Sequence, residues 1–160
     1  MDAAERMALI EDYEAGADEV GRALGEIGRD AFDRRPPDGS WNAREVVHHL
    51  ADSEMRSAIR LRRLLSEDNP TILGYDEASY ATIFRYAERP MEPALAAFRA
   101  SRSTTSQILR QLDEAAFARG GTHQESGPYG VEHWLRIYAR HAHEHADQIR
   151  IAGRPGQAEG

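Results

Sequence analysis

RHAHEHADQIR, residues 140–150, places a histidine at every second position: His141, His143 and His145. In an extended segment all three would share one face, because side chains alternate there. In a helix the set divides. His141 and His145 stack one turn apart, while His143 points about 200° away, at roughly 100° per residue. The flanks choose between the two. Trp134, Tyr138, His141, His145, Gln148 and Ala152 advance by three or four, and Leu135, Ala142 and Ile149 form the adjoining strip. Neither glycine nor proline interrupts residues 131–152. The spacing predicts a helix there, stopping at Gly153 with Pro155 just beyond. His141 and His145 face inward and His143 outward.

A helical reading removes two superficial matches. HAHEHAD has the outline of the H-x-H-x-D-H loop of metallo-β-lactamase-like hydrolases, but that loop follows a strand, and none is expected here. HEHAD begins as H-E-x-x-H does, yet Asp147 stands where the second histidine ligand is required.

Working back along the chain, Met7, Ile10, Ala17, Val20, Leu24 and Ile27 mark a first helix over 2–28, with Gly28 as its stop. Gly16, Gly21 and Gly25 weaken it intrinsically, so packing must hold it. RDAFDRRPPDGSW breaks the pattern. NARE then offers Asn42 as an N-cap and Glu45 three residues on, a capping box that opens a second helix running to about Leu65. SEDNP ends it. Residues 68–90 are irregular and aromatic, with Tyr75, Tyr80, Phe84 and Tyr86 and a short helix expected around 77–86. This long connection is placed to cover one end of a bundle, form a pocket wall or support a homodimer. A third long helix is expected from Pro93 to Leu112, with Arg102 sitting in its apolar seam. The loop ARGGTHQESGPYG leads to the last helix. Four long amphipathic helices without strand-like alternation define an all-α, four-helix bundle. Residues 1–153 form one domain and 154–160 a flexible tail. The topology stays open between up-down-up-down and a variant with a crossover.

Bulk properties narrow the function. The chain has 160 residues, a formal net charge of −7 and no cysteine. The acidic balance argues against nucleic acid as a partner. The lack of cysteine removes disulfides, thiolate ligands and a cysteine nucleophile. No apolar run approaches the roughly 18 residues that span a bilayer, and MDAAERMALIEDYE lacks a signal-peptide core. A cytoplasmic protein acting on a small molecule is expected.

Two imidazoles at i, i+4 on one helix can grip a transition metal, though a third ligand must come from elsewhere. His48 and His49 are the helical candidates. Val46, Leu50 and Ser53 flank His49 on the inward side, which favours it over His48 on the more polar line Arg44–His48–Asp52. On spacing alone, histidines without a metal, satisfied within the core or set on a His-rich surface helix, are the favoured account of the pattern.

RPPDGSWNAREVVHHLADSE, residues 35–54, resembles an opening signature of the DinB-like superfamily: a Pro/Gly approach, a tryptophan, and a capped helix carrying H-L-A-D-x-E. GPYGVEHWLRIYARHAHEHADQI, residues 127–149, resembles its closing H-x-x-x-H-x-x-Q-I, and Arg102 in FRASRSTTSQILRQL matches a recurrent arginine between them. The resemblance runs from about Leu24 to Ile151. It implies a four-helix bundle with a metal centre at His49, His141 and His145. Members often carry a histidine pair where this chain has Glu144 and His145, and the ligating position is the one retained. The superfamily includes YfiT-like proteins regarded as metal-dependent hydrolases, and transferases and isomerases that use low-molecular-weight thiols. The implied cofactor is a divalent transition metal, zinc, nickel or iron, since imidazole suits all three. The alternative is a non-catalytic metal-binding or stress-response bundle.

Three neutral imidazoles leave coordination positions open for water or an incoming thiol. Gln148, three residues past His145, is placed to hydrogen-bond a metal-bound group or a ligand imidazole, or equally to serve helix–helix packing. Arg102 is placed either to bind a substrate carboxylate or to form a buried ion pair with Glu45, Asp52 or Glu54. Asp52 is the nearest candidate general base. Trp41 and Trp134 are expected in the core or at its end. His48, His133 and His143 are expected to face outward or to lie just behind the ligands, and His123 in solvent.

Overall fold

A computed structural model of the chain describes residues 1–154. The long helices are α1 (Ala3–Ile27), α2 (Ala43–Ser66), α4 (Met91–Leu109) and α6 (Val131–Ala152). Between α2 and α4 lie a strand β1 (Thr71–Ile72) and a short helix α3 (Glu77–Ile83). Between α4 and α6 lie α5 (Glu114–Phe117), β2 (Gly120–His123) and β3 (Gly127–Gly130). The expected tail falls outside the described residues, apart from Arg154.

Local chemistry sets the helix bounds. Asn42 Oδ1 accepts from the Glu45 amide, and Glu45 Oε2 accepts from the Asn42 amide, both at 2.9 Å. This is the predicted capping box, worth about 1 kcal/mol at the N-cap alone. The last helix runs over 131–152 as read from its periodicity. The third long helix opens at Met91, two residues before Pro93, and ends at Leu109 rather than Leu112.

Contacts between pairs of helices decide the topology. Arg136 with Glu5, His143 with the Asp12 carbonyl, and Arg150 with Glu19 and Glu26 set α1 and α6 side by side and parallel. Trp134 against Ser57, and His141 and His145 against His49, make α6 antiparallel to α2. Ser101 against Glu54 and Arg62 against Thr105 make α4 parallel to α2. Glu14 with Arg110, and Gly21 beside Arg99, make α4 antiparallel to α1. The order is therefore up-down-down-up, with α1 diagonal to α2 and α4 diagonal to α6. The crossover alternative is the one adopted. Residues 67–90 must climb back along α2, a span of about 36 Å at 1.5 Å per residue.

The expectation of no strands is corrected. β1 pairs parallel with β2, and β2 antiparallel with β3, making a small three-stranded sheet. Strands of two to four residues carry no readable alternation. Gly121 is required in this sheet because a Cβ there would collide with the Pro70 carbonyl. Met7, expected on the inner face of the first helix, is 44% exposed, while Tyr13 is fully buried on that face.

The core has two apolar clusters. One gathers Val20, Val46, Leu50, Phe98, Ala142 and Ile149, the other Ile10, Tyr13, Leu61, Leu109, Trp134 and Leu135. Between them the buried positions turn polar: Ser53, Glu54 and Ser57 on α2, faced by Arg102 and Thr105 on α4.

Candidate metal centre

α2 and α6 are antiparallel neighbours, so the start of α2 meets the second half of α6. That brings His49 to His141 and His145. The ring centroids lie 5.5 Å apart for His49–His141, 4.7 Å for His49–His145 and 4.5 Å for His141–His145. One nitrogen from each ring falls within 4.8 Å of the other two. His49 is 1% exposed, and its open face is covered by Trp41, whose ring lies 5.0 Å away.

Hydrogen bonding selects the tautomer of one ring. His145 Nδ1 stands 2.7 Å from Gln148 Oε1. The amide oxygen accepts, so Nδ1 carries the proton and the Nε2 lone pair turns toward His141. The two Nε2 atoms are 3.2 Å apart. His49 Nδ1 and His141 Nδ1 are buried and have no hydrogen-bond partner among the described residues.

Burial keeps the rings neutral, the form a ligand needs. It pushes the His49 imidazole down to about 3, with His145 adding to the effect. Burial, then His145, His49 and Arg102, holds His141 well below its ordinary value. Burial also lowers His145, opposed in part by its bond to Gln148. These observations pass a test of fit. Tetrahedral coordination at about 2.0–2.1 Å places ligand nitrogens roughly 3.3 Å apart, close to the separation of the two Nε2 atoms.

The other expected residues take distinct places. Arg102 is 1% exposed. It donates to the Tyr138 carbonyl, lies 3.9 Å from Glu54 Oε2 and stacks 4.1 Å over the Tyr13 ring. Tyr13 donates to Glu54 Oε1. Of the two expected arrangements for Arg102, the buried ion pair is the one formed, with Glu54 as partner. Burial raises the Glu54 carboxyl above its usual range against the pull of Arg102. Asp52 accepts from the Tyr86 hydroxyl at 2.5 Å, outside the histidine cluster. His48 does not face outward. It is 2% exposed, stacked 5.5 Å from Tyr86, with Nε2 3.2 Å from the Arg89 carbonyl. His143 is directed at the α1 backbone. Trp134 is fully buried and donates to the Ser57 carbonyl. Tyr13 escaped the sequence reading, although the step Ile10–Tyr13–Ala17 carries the same three-and-four signal as its neighbours.

A helical bundle whose facing helices converge three neutral imidazoles is the architecture of a metal-binding bundle protein. The chain belongs to the DinB superfamily, whose family model matches residues 12–149. It is 34% identical over 124 residues to a protein of Oceanobacillus iheyensis named "putative metal-dependent hydrolase", covering 78% of this chain and 72% of that one. It is also 34% identical over 113 residues to YfiT of Bacillus subtilis, which bears the same name, covering 70% of this chain and 64% of YfiT. The solved structure of YfiT superposes with a TM-score of 0.88 at 29% identity over 96% of this chain and 89% of YfiT. It is described as a probable metal-dependent hydrolase with an unusual four-helix bundle topology.

Proposed function

We propose that this protein is a metal-dependent hydrolase of a small molecule, with one divalent transition-metal ion, zinc, nickel or iron, held by His49, His141 and His145. The observation that carries the reading is the 3.2 Å approach of two Nε2 atoms beside a third buried imidazole, with Gln148 fixing one tautomer. An ion held there supplies Lewis acidity toward water, a thiol or a carbonyl group. The protein supplies the rest. Gln148 holds the His145 ring, Trp41 keeps water from His49, and Arg102 holds the α6 backbone at Tyr138, three residues before His141. Asp52 is engaged by Tyr86 and has no proton-transfer role in this reading. A cytoplasmic location belongs to the same reading.

Transfer to a low-molecular-weight thiol is the second reading. With no cysteine in the chain, any sulfur nucleophile must come from solution. One experiment separates these cases. Untagged protein is analysed for metal beside its His141→Ala and His145→Ala variants, then assayed on a panel of activated esters with and without thiol. One ion per chain, lost in both variants, with thiol-independent turnover, is expected. Turnover only with thiol replaces hydrolysis by transfer. Metal content unchanged in the variants ends the reading.

A further inference from the structure

Beside the histidines lies a second set of polar groups, Ser53, Tyr129 and Tyr138 buried and the rest half-buried or exposed, that this chemistry leaves unused. Ser53 sits one turn past His49 on α2, and Arg56 and Arg60 continue the line. On α6 the Tyr138 ring stands 5.6 Å from His141, and its hydroxyl accepts from Arg60 Nη1 at 3.2 Å. The crossover connection covers this stretch of the α2–α6 groove. Arg60 Nη2 donates to the Leu73 carbonyl, and Arg56 donates to the Gly74 carbonyl and the Tyr80 hydroxyl. The Tyr75 ring lies 4.4 Å from the Arg56 guanidinium, which sets its hydroxyl close to Ser53 and Glu77. From β3, the Tyr129 hydroxyl comes near Arg60.

Two features stand out. The hydroxyls of Tyr75 and Tyr129 are buried and meet the geometry of a hydrogen bond with no partner among the described residues, and Tyr129 is only 5% exposed. Leaving such a group unpaired is costly, and native proteins rarely do so. The set is also rich in donors, with Arg56 and Arg60 among its hydroxyls. Tyr138 accepts from Arg60 and lies beside Ser53, while the carboxylates of Glu77, near Arg60, and Glu125, against Gly74, border the set. Unspent O–H donors around a guanidinium match a carboxylate ligand.

We propose that Arg60, Tyr75, Tyr129 and Tyr138 form a subsite for a carboxylate, so that the substrate carries that group away from the bond acted on at the histidines. This names the substrate class of the proposed reaction and rests on the reading of the three histidines as a metal centre. Arg60 binds the anion and sets specificity.

The test uses cobalt-loaded protein and its visible spectrum. The probes are acetohydroxamate and hydroxamates bearing a terminal carboxylate on two, three or four methylenes. At least one tailed probe is expected to bind about tenfold more tightly than acetohydroxamate, the equivalent of about 1.4 kcal/mol. Arg60→Gln should erase that advantage with cobalt stoichiometry and acetohydroxamate affinity unchanged, and Tyr129→Phe should reduce it. Equal affinity for tailed and tailless probes, or an advantage that survives both variants, overturns the subsite. Failure to take up cobalt overturns the three-histidine reading beneath it, so the two failures are told apart.

Discussion

His145 donates from Nδ1 to the Oε1 atom of Gln148 at 2.7 Å, and that bond turns its Nε2 to within 3.2 Å of His141 Nε2. The two partners are three residues apart on α6, so the orienting group and the oriented ring move as one rigid element.

Gln148 should therefore control metal affinity more than folding. Gln148→Ala removes the acceptor that fixes the His145 tautomer, and such partners are typically worth 10–100-fold in metal affinity. Competition with a chromophoric chelator should show a loss in that range, with the melting temperature of the metal-free protein shifted by no more than a few degrees. Wild-type affinity in the variant would mean that the ring is oriented by packing alone.

The metal-free protein should lose stability as pH falls below about 6.5. Burial holds His49, His141 and His145 below their ordinary values, so the folded state resists protons that the unfolded chain accepts. Stability from these groups is complete above the unfolded value near 6.5 and declines toward the folded value, about 3 for His49. Each extra proton bound by the unfolded chain contributes about 1.4 kcal/mol per pH unit. Depressed carboxylates such as Asp33 and Glu14 act lower, beneath about 4.5, whereas Glu54 and Glu77, raised by burial, take up protons in the folded state above that and oppose the histidines. The histidine part is therefore read by comparison with a variant that lacks the three rings. Urea unfolding across that interval should show a shallower slope in a His49→Gln, His141→Gln, His145→Gln variant. His48, also lowered by burial, leaves a residual slope. Identical slopes would remove the claim.

Gly16 and Gly25 lie on one helix and should respond oppositely to alanine. A Cβ at Gly16 would come 2.7 Å from the Ala142 Cβ and 2.8 Å from Arg102 Nη1, whereas one at Gly25 would meet nothing within 4 Å. Gly16→Ala is expected to destabilise by about 1–3 kcal/mol through overpacking. Gly25→Ala should stabilise by about 0.5–1 kcal/mol through helix propensity. Denaturant midpoints of the two single variants decide it, and a neutral Gly16→Ala would show that α1 and α6 can separate without cost.

The four long helices, the Asn42–Glu45 capping box, the inward pair His141 and His145 and the choice of His49 over His48 were all legible from residue spacing. Each depends on a period of 3.6 residues or on a cap a few residues long, and both are local properties of the chain. Spacing says which face of a helix is inward. It does not say which helix that face will meet. The diagonal placement of α1 and α2, the sheet formed by Thr71–Ile72 with Gly120–His123, the burial of His48 against Tyr86 and the capture of Arg102 by Glu54 all join residues distant in sequence. Only the packed bundle decides these, because burying the apolar faces selects among several arrangements that the same local pattern permits. The histidines are brought together by the antiparallel contact of α2 and α6, a feature of topology and not of any motif.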